Sequence, residues 1–314
     1  MGIDATGVRF LGFAKSCGVD FVRTAMIGRQ GLYIAADEMR RVLTSLGMVP
    51  GGRVVESMTD RGGFSEGLLE YLGAQTVHSF DFSDFEGATY THDMNLPIAE
   101  SFKEKYSVVL DGGSLEHVFN FPVAIRNCME MVAVGGHYLA ITPANNFFGH
   151  GFYQFSPELY FSVLSSDNGF EIVDIIALEE TNKSAWYSIR SPRETRSRVE
   201  LRNSEPVHLL VIAKRVARKP IFEKLPQQSD YTVRWEGEGE VADSASAQMA
   251  VPSQRPVAIR IAKILLPASL RLFIRWLFTW PEKPVFGFDP KFFRRVDPAS
   301  HSPSQLSTPG PGQV

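Results

Sequence analysis

The sequence predicts an α/β fold built on a mostly parallel sheet with an antiparallel edge strand. Three observations carry this expectation. Residues 108–146 run as apolar segment, polar loop, helix-like segment, glycine pair and second apolar segment, the strand–helix–strand unit of a parallel sheet. Three successive apolar runs end in the acids Asp81, Asp93 and Asp111, and ligands of open α/β sheets bind outside the carboxyl ends of the strands. Two late apolar runs, 170–178 and 208–214, are separated by a polar stretch and pair as an antiparallel hairpin.

The first twenty residues hold a short leading helix. The run 21–27 is apolar apart from Arg23 and Thr24 and ends in Gly28-Arg29-Gln30-Gly31, a strand followed by a glycine turn. Asp37 is expected to cap a helix over 38–46. After the turn at Gly51-Gly52, residues 53–58 are a second candidate for the first core strand, and Ser65 is placed to cap a helix over 66–72. Strands follow at 76–80 and 88–91. The central unit supplies a strand from 108, a helix over 122–132, a turn at Gly135-Gly136 and a strand over 138–141. Ser156-Pro157-Glu158 is a helix start, with proline at the first helical position.

The domain divisions read from composition are a folded unit over 1–216, a flexible polar linker over 217–256, a helical basic and aromatic appendage over 257–297 and a disordered tail over 298–314. Arg260, Lys263, Arg271 and Arg275 fall near one helical face of the apolar stretch 257–280. That stretch either packs on the domain or lies on an anionic membrane surface, a peripheral contact.

With 314 residues, 44% of them hydrophobic, the chain supports one core domain with additions. Net charge is −3, which gives no reason to expect nucleic acid as a partner. Cys17 and Cys128 are the two cysteines and form no CxxC pair, so neither a disulfide framework nor a zinc site is indicated, and a reducing, cytoplasmic compartment is expected. No stretch reaches 18 uncharged apolar residues, so no spanning helix is expected.

The segments FDFS at 80–83, HDMNLP at 92–97, VVLDGGSLEHVFN at 108–120, VAVGGHYLAITP at 132–143 and NGFEIVDI at 168–175 resemble class I S-adenosylmethionine-dependent methyltransferases of the small-molecule type. The resemblance is close over 76–178 and extends to about 20–216. It implies a three-layer Rossmann-like sheet with S-adenosylmethionine bound along the strand ends. Asp81 would then hold the ribose hydroxyls, Asp93 with the Met94 backbone would meet the adenine, and Asp111 and Gly112 would lie near the methionine part. Gly28 would belong to the glycine loop after the first strand. The family's glycine-rich run has no close match here: the choices are MIGRQG at 26–31, which has the more apolar strand, or ESMTDRGGFSEG at 56–67. With the first choice, Arg29 and Gln30 become donors for the cofactor carboxylate.

The segment 145–154 is dense in polar and aromatic groups, and Asn145, Asn146, Tyr153 and Gln154 are the expected acceptor contacts. His150 or His117 is the expected general base, since histidine titrates near neutral pH. The blander alternatives are a loop hydrogen bond for His117, a turn role for His150 and a loop-shaping role for Asp111. No set of His, Asp and Glu has the spacing of metal ligands on a helix, so no metal is expected. The expected function is methyl transfer to a small molecule, a sugar or other glycan precursor. The rival is a non-catalytic interaction module that keeps the fold without the cofactor. A dehydrogenase is disfavoured, because no GxGxxG opens a helix after a strand.

Overall fold

The computed structural model describes residues 2–51, 54–59, 63–229 and 286–299. In chain order these form β1 (Gly2–Ile3), α1 (Ala5–Ser16), β2 (Arg23–Ile27), β3 (Gly31–Leu32), α2 (Ala36–Ser45), α3 (Val54–Thr59), α4 (Glu66–Tyr71), β4 (Thr76–Asp81), β5 (Tyr90–Thr91) and β6 (Tyr106–Asp111). Then follow α5 (Phe121–Met131), β7 (Val132–Pro143), α6 (Pro157–Val163), β8 (Phe170–Glu179), β9 (Trp186–Ile189), α7 (Pro192–Thr195), β10 (Val207–Arg215) and β11 (Phe293–Val296).

One sheet runs in the order β11-β9-β8-β10-β7-β6-β2-β4-β5, while β1 pairs with β3 apart from it. The strands from β5 to β7 are parallel. Strand β10 is antiparallel to both β7 and β8, and β9 and β11 continue antiparallel beyond β8. Taking β2, β4, β5, β6, β7 and β8 as core strands one to six, their order is the doubly wound 3-2-1-4-5-6, with β10 inserted between the fifth and sixth. The three-layer Rossmann-like sheet is therefore present, and its antiparallel part is larger than an edge strand. The 170–178 and 208–214 segments do pair antiparallel, but β10 lies inside the sheet and β9 and β11 form that edge.

Alternate residues of each strand feed two cores, as the pleat requires. Ala25, Ile27, Val109, Tyr138 and Ala140 pack with α5 and α6 on one face. Met26, Val108, Leu110 and Leu139 pack with α1, α2, α3 and α4 on the other. The order of the first strand is settled by burial: β2 lies centrally between β4 and β6, whereas residues 54–59 are helical. Val55 and Met58, three apart, both turn into the core from one helical face. Asp37 is not a cap: Ala35 holds that position, and Asp37 sits in the first turn, where an acid favours the helix dipole. Neither Ser65 nor Ser156 makes a side-chain cap bond, although each precedes its helix.

Gly135-Gly136 is a bulge within β7 rather than a turn between elements. A Cβ on Gly136 would stand 2.8 Å from the Ser107 carbonyl, so the close approach of β6 requires glycine there. The next residue, His137, is buried, with its Nδ1 unpartnered among the described residues. Burial, and then the Lys214 cation opposite it on β10, lower its pKa from 6.5 to about 4. A histidine depressed in this way is neutral in the fold and binds a proton more readily once unfolded. Stability held above pH 6.5 is therefore lost as pH falls toward about 4. Urea melts of His137→Gln should show a shallower acid loss than the parent chain between neutrality and that value, by on the order of 2 kcal/mol. Parallel losses in the two proteins would move the acid sensitivity to another group.

Part of the expected linker is packed. Ile221 is buried and its carbonyl accepts from the Arg126 guanidinium, and Ser229 donates to the Glu158 carboxylate. Most of the expected appendage, including 257–280 and its membrane reading, lies outside the described residues, as does the tail from 300. The described end of the appendage is a strand, not a helix. Here β11 pairs with β9, and Phe288 stacks on Tyr187 with ring centroids 3.9 Å apart. Two aromatic anchors and an open strand edge favour pairing over a free helix. Among the described residues no helix is long and apolar enough to cross a membrane.

Candidate functional site

The sheet order reverses between β2 and β6, and the loops after these two strands define the switch point where open α/β sheets bind ligands. Gly28 follows β2 with φ +71°. Its N–H continues the ladder to the Phe80 carbonyl at 2.7 Å before the chain turns away. A Cβ there would lie 2.9 Å from Ser114 Oγ and 3.9 Å from Asp81 Oδ2, so a side chain would fill the ground between the loop and Asp81.

Asp81 ends β4. Its Oδ2 accepts from the Arg29 N–H at 3.2 Å and its Oδ1 from the Phe82 N–H at 2.7 Å. Each oxygen keeps a lone pair for a further donor. Asp93 closes a turn, with Oδ1 accepting from both nitrogens of Asn95, and these bonds lower its pKa. The Met94 side chain is buried in the core and its carbonyl accepts from Asn127, so the residue offers a ligand only backbone.

Asp111 ends β6 with no exposure. Its Oδ1 accepts from the Ser114 and Leu115 N–H groups at 2.8 and 3.3 Å, which fixes the loop after the strand. Burial raises its pKa, while the amides of Ser114, Leu115 and Gly113 pull it back down. Asp111 thus shapes the loop, whose Gly112, Gly113 and Glu116 border a cavity.

Arg29 and Gln30 do not stand as free donors. The Arg29 guanidinium pairs with Glu66 at 2.8 Å, donates to the Glu86 carbonyl at 2.7 Å and lies 3.9 Å over the Phe64 ring. Gln30 is buried; its Nε2 donates to the Ile27 carbonyl at 2.6 Å and to Ser114 Oγ at 3.2 Å. Among the described residues its Oε1 is left without a partner, 2.5 Å from where a Gly112 Cβ would be. The atom on offer is an acceptor, which suits an ammonium group rather than a carboxylate. An open acid at the second strand end, a glycine cradle at Gly28 and Gly112, and an orphaned buried acceptor between them fit S-adenosylmethionine.

Beside Gly112 and Gly113 opens a cavity of about 370 Å³, lined also by Asp4, Glu116, His150, Glu180, Lys183 and His208. Lys183 pairs with Asp4, the N-cap of α1, at 2.8 Å, and His208 Nε2 lies 2.9 Å from Glu180 Oε1. Glu116 sits in the short 3-10 turn Leu115–His117. Its side chain is 2% exposed, its Oε2 has no hydrogen-bond partner among the described residues, and its Oε1 is 3.7 Å from His150 Nε2. Burial and then the Asp111 charge push its pKa upward. Burial, with His150 next, lowers that of His117. The two imidazole rings are 5.1 Å apart.

The fold brings His117 and His150 together with Glu116, a residue the sequence motif held without singling it out. It does not bring the side chains of Asn145, Asn146, Tyr153 and Gln154 to them. Asn145 and Asn146 donate to the carbonyls of Leu201 and of Asn203 and Glu205. Gln154 accepts from the Phe147 N–H, and the Tyr153 hydroxyl donates to the Phe119 carbonyl. Asn145, Asn146 and Gln154 line a groove with Leu201, Arg202 and Asn203. An adjoining cavity takes Ala177, Val207 and Leu209, whereas the Glu116 cavity takes Leu178 and His208. Neighbouring strand residues point to opposite faces, so the two spaces flank the sheet.

No protein-family model matches the sequence, and no curated protein matches it. Solved structures similar to the chain include a provisionally named methyltransferase of Bacillus halodurans C-125, at 11% identity over 65% of this chain and 99% of that one, TM-score 0.37. A provisionally named S-adenosylmethionine-dependent methyltransferase of Listeria monocytogenes is similar at 13% identity over 65% and 98%, TM-score 0.36. A branched-chain polyamine synthase mutein of Thermus thermophilus is similar at 12% identity over 69% and 57%, TM-score 0.35. At such identities and scores the likeness carries no argument about chemistry.

Proposed function

We propose that the chain is an S-adenosylmethionine-dependent methyltransferase acting on a small polar molecule such as a sugar. The observation that carries this reading is the meeting, at one switch point, of Gly28, Asp81, Gly112 and the orphaned Gln30 Oε1 with an adjoining cavity of acceptor size. Asp81 would hold the ribose diol, Asp93 and the Met94 backbone the adenine, and Gln30 with the Gly112 backbone the methionine end. The cofactor supplies an electrophilic methyl group on a sulfonium. The chain's task is to hold an acceptor in line with it, and positioning alone can carry much of that barrier.

The cavity lining is suited to hydroxyl-rich molecules. Asp4 and Glu180 accept hydrogen bonds, Lys183 donates them, and His208 bridges to Glu180. His150, half exposed at this cavity with Glu116 and His117 behind it, would receive a proton from the acceptor. His150→Ala should lower kcat by on the order of 100-fold with KM for the cofactor unchanged, measured by release of S-adenosylhomocysteine. An unaltered kcat would remove His150 from proton transfer.

A second reading, the non-catalytic module, draws on the packing of Gln30 against Gly112 and the engagement of Arg29 with Glu66. Both narrow the cofactor's path. A thermal-shift titration with S-adenosylmethionine and S-adenosylhomocysteine separates the two, because a ligand of the native state raises Tm. The enzyme reading expects a rise of several degrees at millimolar ligand. A flat titration would transfer the case to the module.

A further inference from the structure

We infer that Glu116, His117 and His150 form a site for a divalent first-row transition-metal ion. One donor atom from each lies within 4.8 Å of the other two. Two imidazoles and one carboxylate make a donor set that zinc, cobalt and manganese accept, whereas calcium and magnesium favour all-oxygen surroundings. The inference goes beyond methyl transfer, since it concerns the ion alone and holds whether or not the cofactor binds.

Two independent features build the site. The first is the state of Glu116. A carboxyl group 2% exposed, with Oε2 unpartnered among the described residues and Oε1 at 3.7 Å from His150, beyond hydrogen-bond reach, is costly to bury. A cation between the carboxylate and the two imidazoles satisfies it, and a small contraction brings three donors at this spacing to metal-ligand distance.

The second is the way His150 is held. It comes from the loop after β7, while Glu116 and His117 come from the turn after β6. The Phe152 and Tyr153 N–H groups donate to the Glu116 carbonyl at 2.7 and 3.3 Å, tying the two loops together two and three residues past His150. Gly149 and Gly151 flank the histidine at φ +94° and +70°. A Cβ on Gly151 would stand 2.7 Å from the Glu116 carbonyl oxygen, so this crossing needs glycine. The histidine is thus set against the acid by backbone bonds and not by chance proximity on a mobile surface.

Glu116 and His150 both line the 370 Å³ cavity, so an ion held by three protein ligands keeps open positions facing a small-molecule space. An ion-bound imidazole has no lone pair for a proton, so His150 cannot be ligand and base in the same molecule. The ligand role belongs to the ion-loaded chain and the base role to the ion-free one.

The test uses the full chain, stripped with a chelator and titrated calorimetrically with zinc or cobalt chloride, with magnesium and calcium chloride in parallel. The expected result is one equivalent of zinc or cobalt bound, with a cobalt visible spectrum of nitrogen and oxygen ligation and no comparable magnesium or calcium binding. Glu116→Gln and His150→Ala should each weaken binding by on the order of 100-fold. His92→Ala, whose exposed imidazole meets the Leu96 carbonyl in another loop, should bind as the parent does. His150 is half exposed, so its variant folds even if the change at Glu116 disturbs the core. Absence of stoichiometric binding in the parent chain, or equal affinity in parent and His150→Ala, overturns the inference. S-adenosylhomocysteine binding measured on the same stripped sample reports on the cofactor site separately, so failure of one does not read as failure of the other.

Discussion

Trp186→Ala is expected to destabilise the protein by about 3–5 kcal/mol, the cost of removing a fully enclosed aromatic ring. Trp186 has no exposure, and its ring meets Phe13 of α1 edge-on, with centroids 5.7 Å apart at 83°. Its Nε1 donates to the Lys183 carbonyl at 3.1 Å, and its backbone pairs with Val296 of β11. One side chain therefore joins the sheet edge, the leading helix and the segment carrying Lys183. Lys183 in turn pairs with Asp4 at the cavity wall, so the loss should loosen that wall as well as the core. Urea unfolding gives the measurement. Trp186→Phe, which keeps most of the packing and loses the N–H, should fall between the two at about 1–2 kcal/mol. A cost below about 1 kcal/mol for the alanine variant would mean that α1 closes over the gap without help.

Asp81→Ala is expected to weaken S-adenosylhomocysteine binding by about 10- to 100-fold, the usual worth of hydrogen bonds to a charged acceptor. Among the described residues its two oxygens accept only backbone N–H groups, from Arg29 and Phe82. Both retain acceptor capacity at the end of β4, next to Gly28. Calorimetry with the ligand supplies the number. Asp81→Asn, which keeps an acceptor for the Arg29 N–H, separates loss of the ligand contact from collapse of the glycine loop. If the alanine variant bound as tightly as its parent, the second-strand acid would have no part in the site.

Much of this was legible in local pattern. The acids that close β4 and β6 follow apolar runs, and the strand–helix–strand unit around Asp111 is marked by its loop and helix start. Three local readings turn on one cause. Residues 53–58 are only the second candidate for the first core strand, Gly135-Gly136 reads as a turn and 257–297 reads as a helical appendage, while short segments take the structure their neighbours impose. Val55 and Met58 are helical against the core, the glycines let β6 approach β7, and β11 forms where β9 offers an open edge.

The candidate site divides in the same way. Gly28, Asp81, Asp93, Asp111 and Gly112 are placed by their own strands, and their positions follow from where each strand stops. The engagement of Arg29 by Glu66 depends on the insertion that carries β3, α2 and α3 between β2 and α4. Gln30 offering an acceptor rather than a donor depends on Ser114 and the Ile27 carbonyl taking its nitrogen.

The sequence by itself determined the α/β class, the identity of the central strands and the acids at their ends. Hydrophobic period and turn residues act over a few neighbours, and those neighbours are all in the string. Only the tertiary structure decided that β10 enters between β7 and β8, and that Glu116 faces His117 and His150 over a cavity. Those outcomes rest on ladder pairing between distant strands and on backbone bonds between two loops, interactions that leave no periodic trace in either partner alone.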